Sequence, residues 1–412
     1  MDVHRRPLVD RTLPLLAKGY AWLPDRMRES AGPVVRTRLL GRPTLAVRGP
    51  EAVRLFYDEA RVRRHGAVPA PVLDTLFGQG AVHTLDGADH RARKELFLPL
   101  LDPGRVAALT EHVGTAWDDA VRTWHKRSRV VLFDEAAVVL TRGVCRWAGL
   151  PPDIDAGALS RDLIAMVDGF ATPGPRRARA RRARSRQEAR LARLIEDVRS
   201  EAVTAPEGSV LDRVRRHRDL PGETLDARTA AVELLNVLRP TAAVSWFVAF
   251  GAHALHRRPA HRERLRSGDR AFATAFAHEV RRFYPFAPFL GGRTVTDVTW
   301  CGESVPAGGI LLLDVYGQNH DEKLWGDPYT FRPERFLARP PERDELVPQG
   351  GGDPAVGHRC PGERITVGLL ESLATRLARL EYTVPDQDLA IPLRRIPTRP
   401  RSGFAVTGVR AA

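Results

Sequence analysis

The chain has 412 residues, of which 43% are hydrophobic and 28% charged, with a formal net charge of +14. That composition belongs to a globular chain with material for a large core, and it excludes a disordered or fibrous one. Three scattered cysteines, Cys145, Cys301 and Cys360, exclude a disulfide framework and a Cys-x-x-Cys metal site. The apolar stretch Leu13 to Leu16 is too brief for a leader or an anchor, so the expected compartment is the cytoplasm.

In chain order, the first strand signal lies at Val34 to Val47, bounded by Gly and Pro. A helix follows at Val106 to Val121, with apolar residues recurring at three and four. Pro173 to Pro175 reads as a loop between helices that can sit over a pocket mouth. The run from Arg176 to Arg193 holds the densest positive charge. It has neither interleaved aromatic residues nor a docking motif, so it is read as a solvated helix face and not as a nucleic-acid site. A milder role is electrostatic steering of anionic substrates.

Helical periodicity continues at Leu191 to Ala202, Ala227 to Leu255 and Ala271 to Phe283. The segment Thr241 to Leu255 is almost wholly apolar but too short for a bilayer, so a long central core helix is expected and no membrane span. Within it, Arg239 and Pro240 stand out. A buried arginine is costly unless it meets an anion, and a proline inside a helix frees the carbonyl of Asn236 and kinks the axis. Short strands are expected at Val295 to Val305, at Gly309 to Asp314 and in the C-terminal tail. No repeat or long linker divides residues 1–412, which are read as one domain.

Near the C-terminus the chain runs Pro348, Gln349, Gly350, Gly351, Gly352, Asp353, then Gly357, His358, Arg359, Cys360, Pro361, Gly362, and continues as an amphipathic helix. Glycines let the backbone approach a flat ligand, and a cysteine at a loop-to-helix junction has its thiolate favoured by the helix N-terminus. Upstream, Glu279 and Arg282 lie one turn apart on a helix, and Arg332, Pro333, Glu334, Arg335 and Phe336 follow. The Glu-x-x-Arg pair alone is weak, since Glu51 with Arg54 and Glu196 with Arg199 repeat it.

The ordered set resembles the cytochrome P450 superfamily. The resemblance implies a mainly α fold with small β-sheets and haem b held between the central helix and the cysteine-loop helix. It implies Cys360 as the metal ligand and Glu279, Arg282 and Arg335 as a structural ion-pair network. His90, Lys94 and Arg293, with Arg64 a further candidate, would meet the haem propionates; the residues themselves read equally well as solvated surface charges.

An ordinary member carries an acid followed by Thr in the central helix as a proton relay, whereas this chain has Arg239 and Pro240. It also has Asp353 where a Phe is usual. In both respects, and locally over Leu76 to His83, Asn236 to Thr241 and Phe283 to Gly292, it resembles the bacterial fatty-acid peroxygenase branch. That resemblance implies a long-chain fatty acid and hydrogen peroxide as substrates, no obligatory redox partner, and hydroxylation at the alpha or beta carbon. Arg239 would bind the carboxylate, which would do the missing relay's work. His83, found in members that also form terminal alkenes, would add decarboxylation. Phe77, Val167, Phe170, Phe286 and Phe289 would line the acyl tunnel, although such residues are individually indistinguishable from core. The alternative is a reductase-dependent monooxygenase acting on another carboxylate or a secondary metabolite.

Overall fold

Aspartates start the main helices by accepting a backbone N–H of the first turn: Asp102 from Gly104, Asp155 from Ala158, Asp226 from Thr229 and Asp269 from Phe272. In the computed structural model, which describes residues 9–30, 32–170, 172–220 and 222–410, the helices that frame the site are α1 (Gly87–Lys94), α2 (Pro103–Trp124), α3 (Leu132–Ala148), α4 (Ala156–Asp168), α5 (Pro175–Arg199), α6 (Ala227–Arg257), α7 (Arg270–Phe283) and α8 (Glu363–Arg379). The fold is mainly helical, as expected. The arginine run and the start of the Leu191 stretch form a single helix, α5, which stops at Arg199 because Ser200 caps it and Glu201 turns to φ 63°. Helices α3 and α4 are not among the helices expected from the sequence, although their apolar residues recur at helical spacing.

Helix α6 is apolar on every side and therefore must be enclosed. Its most apolar window meets the length and hydropathy needed to cross a membrane, yet 89% of that window is buried inside the protein. It is packed by α3, α4, α5 and α8. Trp246 and Phe250 at 0% exposure and Phe247 at 3% anchor it in the largest hydrophobic cluster, each such side chain contributing about 1.5–3 kcal/mol on burial.

The sheet at the other side is five-stranded, in the order β1 (Val34–Leu39), β2 (Arg42–Val47), β5 (Ile310–Leu313), β4 (Leu290–Thr294), β3 (Val62–Arg63). The Val34 to Val47 segment is thus a hairpin, turned at Leu40 and Gly41, where both residues have positive φ. Strand β2 runs parallel to β5, Thr44 to Val47 facing Ile310 to Leu313. Val295 to Val305 also resolves into a hairpin, Val298–Trp300 against Glu303–Val305, and the tail strand Ala405–Arg410 pairs with Val130–Val131 and Glu381–Thr383. Strand β4 went unread because Gly291 and Gly292 hide it. Gly292 is required there: a Cβ would lie 2.3 Å from Val62 and 2.8 Å from Arg64 Nη1.

Glu279 and Arg282 on α7 are both fully buried and make a two-bond pair at 2.7 and 2.8 Å. Arg335 Nε stands 3.2 Å from Glu279, and the N–H of Arg332 donates to it at 2.7 Å. The expected ion-pair network is therefore present, and it fastens the segment leading to the cysteine loop onto α7.

Candidate active site

Cys360 lies two residues before Gly362, the N-cap of α8. Its side chain is half-buried. Its backbone N–H donates to Gln349 O at 3.2 Å, and Gln349 Nε2 points at its sulfur from 3.8 Å. Gln349 is itself held by Arg281 Nε at 3.1 Å and by Thr366 Oγ1 at 3.0 Å. Arg281 also pairs with Glu363, which Arg359 Nη2 meets at 2.7 Å. Burial pushes the Cys360 thiol up, while the Gly362 N–H, the Gln349 amide and Lys94 pull it down. Metal ligation deprotonates such a thiol outright. Gln349 and Arg281 were not recognised as site residues in the sequence, since neither residue type marks a sulfur partner.

Lys94 is 2% exposed and donates to the carbonyls of Gly357 and Arg359. It ties α1 to the cysteine loop, and burial lowers its pKa to about 8. His90 stacks on His358 with ring centroids 3.9 Å apart. Burial, followed by His358 and Lys94, pushes His90 down to about 3. His358 Nε2 stands 3.3 Å from Asp86 Oδ1, and Glu59, His90 and His358 gather their polar atoms within 4.8 Å. Arg64 is buried, its Cζ 4.1 Å above the Phe56 ring and its Nη1 without a partner. Among the described residues, His90 Nδ1 is likewise unpaired.

Buried, unpaired donors near a half-buried cysteine suit a flat macrocycle that ligates sulfur and carries carboxylates. Haem fits the residues present: Cys360 would hold the iron, and Arg64 and His90 would meet its carboxylates. Arg293 is not brought to this cluster. Gly292 and Thr294 face inward from β4, which sends Arg293 to the exposed side, near Gly66. His358, quoted only as part of the loop, joins the cluster instead.

Helix α6 brings Arg239 within electrostatic range of Cys360. Every residue from Ala230 to Ala252 is buried except Pro240, which is exposed. Arg239 is 4% exposed, its Nη1 unpaired. Burial, then Arg184, lowers it to about 9, with Cys360 and Glu233 opposing. Its Cζ lies 5.5 Å from the Phe77 ring, which packs on the His83 ring at 4.3 Å. Arg239, Phe77 and His83 are therefore brought together, as expected. Burial and then the Arg239 charge hold His83 well below its ordinary pKa, so the imidazole is neutral, with Nδ1 unpaired.

Arg184 departs from the reading of a solvated arginine face. It is 2% exposed, pairs with Glu188 at 2.6 Å and donates to Leu76 O and Phe77 O at 2.8 and 2.9 Å. The signal was available, because Ala180, Ala183, Arg184, Gln187, Glu188 and Leu191 form one buried stripe at helical spacing. Arg179, Arg181 and Arg182 on the other face are exposed. Of the expected tunnel residues, Val167 is buried at the end of α4 and Phe170 is half-buried just beyond it. Phe286 packs on Phe247 and Trp246 at 5.0 and 6.1 Å, whereas Phe289 packs against the N-terminal cluster of Leu15, Trp22 and Leu23.

A family profile described as Cytochrome P450 matches residues 256–390. Over nearly the whole chain, the structure superposes on cytochrome P450SP alpha (CYP152B1) in complex with (R)-ibuprophen, at 40% identity and TM-score 0.94, covering 98% of this chain and 99% of that one. The chain belongs to the cytochrome P450 superfamily. Ligand-free cytochrome P450 OleT is 38% identical with TM-score 0.96 over 100% of this chain and 99% of its own. A variant of OleT solved with arachidonic acid is 37% identical with TM-score 0.95, covering 100% of this chain and 99% of its own. Among curated proteins, human cytochrome P450 4A11 is 29% identical over 181 residues, 39% of this chain and 33% of that protein. The chain thus spans a third of that relative's length. As a P450, it takes haem, iron protoporphyrin IX, as its cofactor.

Proposed function

We propose that this P450 is a fatty-acid peroxygenase, hydroxylating long-chain acids at the alpha or beta carbon with hydrogen peroxide and decarboxylating a share of them to terminal alkenes. The observation that carries it is the buried, unpaired Arg239 within electrostatic range of Cys360, where an acid and a Thr would serve an ordinary monooxygenase. Burying an unpaired guanidinium is costly, and a carboxylate relieves that cost with a charge-assisted pair of about 1.5–3 kcal/mol. A relative solved with arachidonic acid supports the substrate class.

Haem on Cys360 would supply the chemistry of O–O cleavage and oxygen delivery, the thiolate favouring that cleavage. The protein's residues do the rest. Arg239 holds the carboxylate and so fixes where the acid end of the chain, with its alpha and beta carbons, lies. Phe77 covers the Arg239 and His83 side and excludes water, while Pro240 leaves the helix surface open where a Thr side chain would stand. The bound carboxylate would serve as the proton acceptor and donor that the missing acid and Thr would otherwise provide. Hydroxylation consumes one acid and one peroxide and yields hydroxy acid and water. Decarboxylation of the same pair yields alkene, carbon dioxide and two waters.

The same reading takes the chain as one haem domain with Val167, Phe170 and Phe286 along the acyl tunnel, no redox partner and no nucleic acid. A cytoplasmic setting is supported by Cys145, Cys301 and Cys360 all being free thiols. Purified holoenzyme given peroxide and a saturated long-chain acid, without reductase, should form 2- or 3-hydroxy acid, and Arg239→Ala should lose this by about a hundredfold or more. Turnover only with ferredoxin and NAD(P)H, unchanged by that substitution, would establish the monooxygenase reading instead.

A further inference from the structure

One carboxylate on the same helix is within electrostatic range of Arg239 and makes no pair with it. Glu233 is on the same helix, six residues earlier, about 9 Å along the axis at 1.5 Å per residue. Extended glutamate and arginine side chains together can close such a gap. Instead, the fully buried Glu233 carboxylate takes Arg93 Nη1 at 2.6 Å, the Val82 N–H at 2.8 Å and Asn236 Nδ2 at 3.0 Å. Arg93 is fixed from its far side, Nε donating to Asp219 Oδ1 at 2.8 Å, Nη2 meeting Oδ2, and Nη1 donating to Gly80 O at 3.0 Å. Arg239 Nη1 remains without any acceptor.

Opposite charges in a region of low dielectric attract strongly, so a freed Glu233 carboxylate would compete for Arg239. We propose that Arg93, anchored by Asp219, together with Asn236 sequesters Glu233 from Arg239, so that the Arg239 charge stays available to the substrate carboxylate. Glu233 is a resident competitor for the anion site, and Arg93 keeps it occupied. Both are positioning residues. The same arrangement seats the turn bearing His83, because Glu233 also holds the neighbouring Val82 N–H. Burial pushes the Glu233 carboxyl up, and Arg93, Asn236 and Val82 oppose this; three donors around the group suit its ionised form. The proposal deepens the peroxygenase reading and rests on it.

A purely structural brace and a sequestering clamp differ in what rescues its loss. Holoenzyme carrying R93Q, E233Q or both would be titrated with a long-chain saturated acid and with the matching 1-alkanol, read by the substrate-induced Soret change, with thermal melts alongside. The clamp predicts acid binding about tenfold weaker in R93Q with alkanol binding unchanged, and recovery of acid affinity in R93Q/E233Q to about that of E233Q. Wild-type acid affinity in R93Q, or a loss that E233Q does not repair, would overturn it, as would equal weakening of acid and alkanol. If R93Q does not fold, D219N loosens Arg93 from the half-buried outer end and should give a smaller acid-specific loss that E233Q again repairs; its absence also overturns the clamp. Failure of the underlying reading is separately visible, as wild-type protein that binds acid and alkanol alike or R239A that binds acid undiminished.

Discussion

At the residue scale, the distal chemistry turns on the charge state of His83. Its neutral imidazole follows first from burial and then from the positive charge of Arg239. A carboxylate on Arg239 cancels the second effect and so relieves part of the depression, while burial still favours the neutral ring. Replacing His83 with Gln removes the ionisable ring while keeping a polar contact. The expected result is a fall of severalfold in the alkene share, with hydroxy acid persisting, checked by gas chromatography of peroxide-driven products. Cys360 and Arg239 were legible as single residues, because sulfur in a Gly-rich loop and arginine in an apolar helix are chemically conspicuous. Gln349, Arg281 and Arg93 were not. Their roles exist only through partners that folding brings from 68 and 140 positions away, Gln349 to Arg281 and Arg93 to Glu233.

At the scale of elements, the roof of the pocket hangs from α5. Arg184 grips the carbonyls of Leu76 and Phe77, and Gly78 follows at φ 91°. A Cβ on Gly78 would lie 2.1 Å from Arg184 Nη2 and 2.8 Å from Val232 Cγ1, and positive φ adds strain for any residue with a side chain. Gly78→Ala should therefore destabilise the fold by about 1–3 kcal/mol and shift the alpha-to-beta product ratio, because Phe77 moves with its anchor. Chemical denaturation and product analysis would test the two effects. The glycine-containing β4 was hidden in the sequence for a related reason: glycine positions chosen for close approach weaken the pattern that announces a strand. Long α6 was plain because its apolar run exceeds any strand.

At the scale of the whole molecule, buried neutral histidines set the response to acid. His253, His278 and His320 are each pushed down to about 4, in every case first by burial. Unfolding exposes them to an ordinary value near 6.5, so below that pH the unfolded chain binds protons that the folded chain refuses. Their contribution is complete above about pH 6.5 and is lost as pH falls toward 4, at roughly 1.4 kcal/mol per unit for each. Melting temperature should therefore begin to fall below pH 6.5, well before the carboxylates titrate. A flat profile from pH 7 to 5 would contradict this. Asp86, which His358 and the N–H groups of Arg64 and His65 hold at about 2 against the pull of burial, adds its loss only at lower pH.

The unpaired guanidinium on the central helix has one more consequence. Among the described residues near it, Glu233 is engaged by three donors and His83 is uncharged, so neither offers it a free acid. Proton traffic then begins only when an acyl chain arrives with its own carboxylate. The arrangement works as an interlock with two keys, oxidant and fuel, neither of which turns alone, so a haem resting in a peroxide-containing cell is spared idle oxidation until there is something to oxidise.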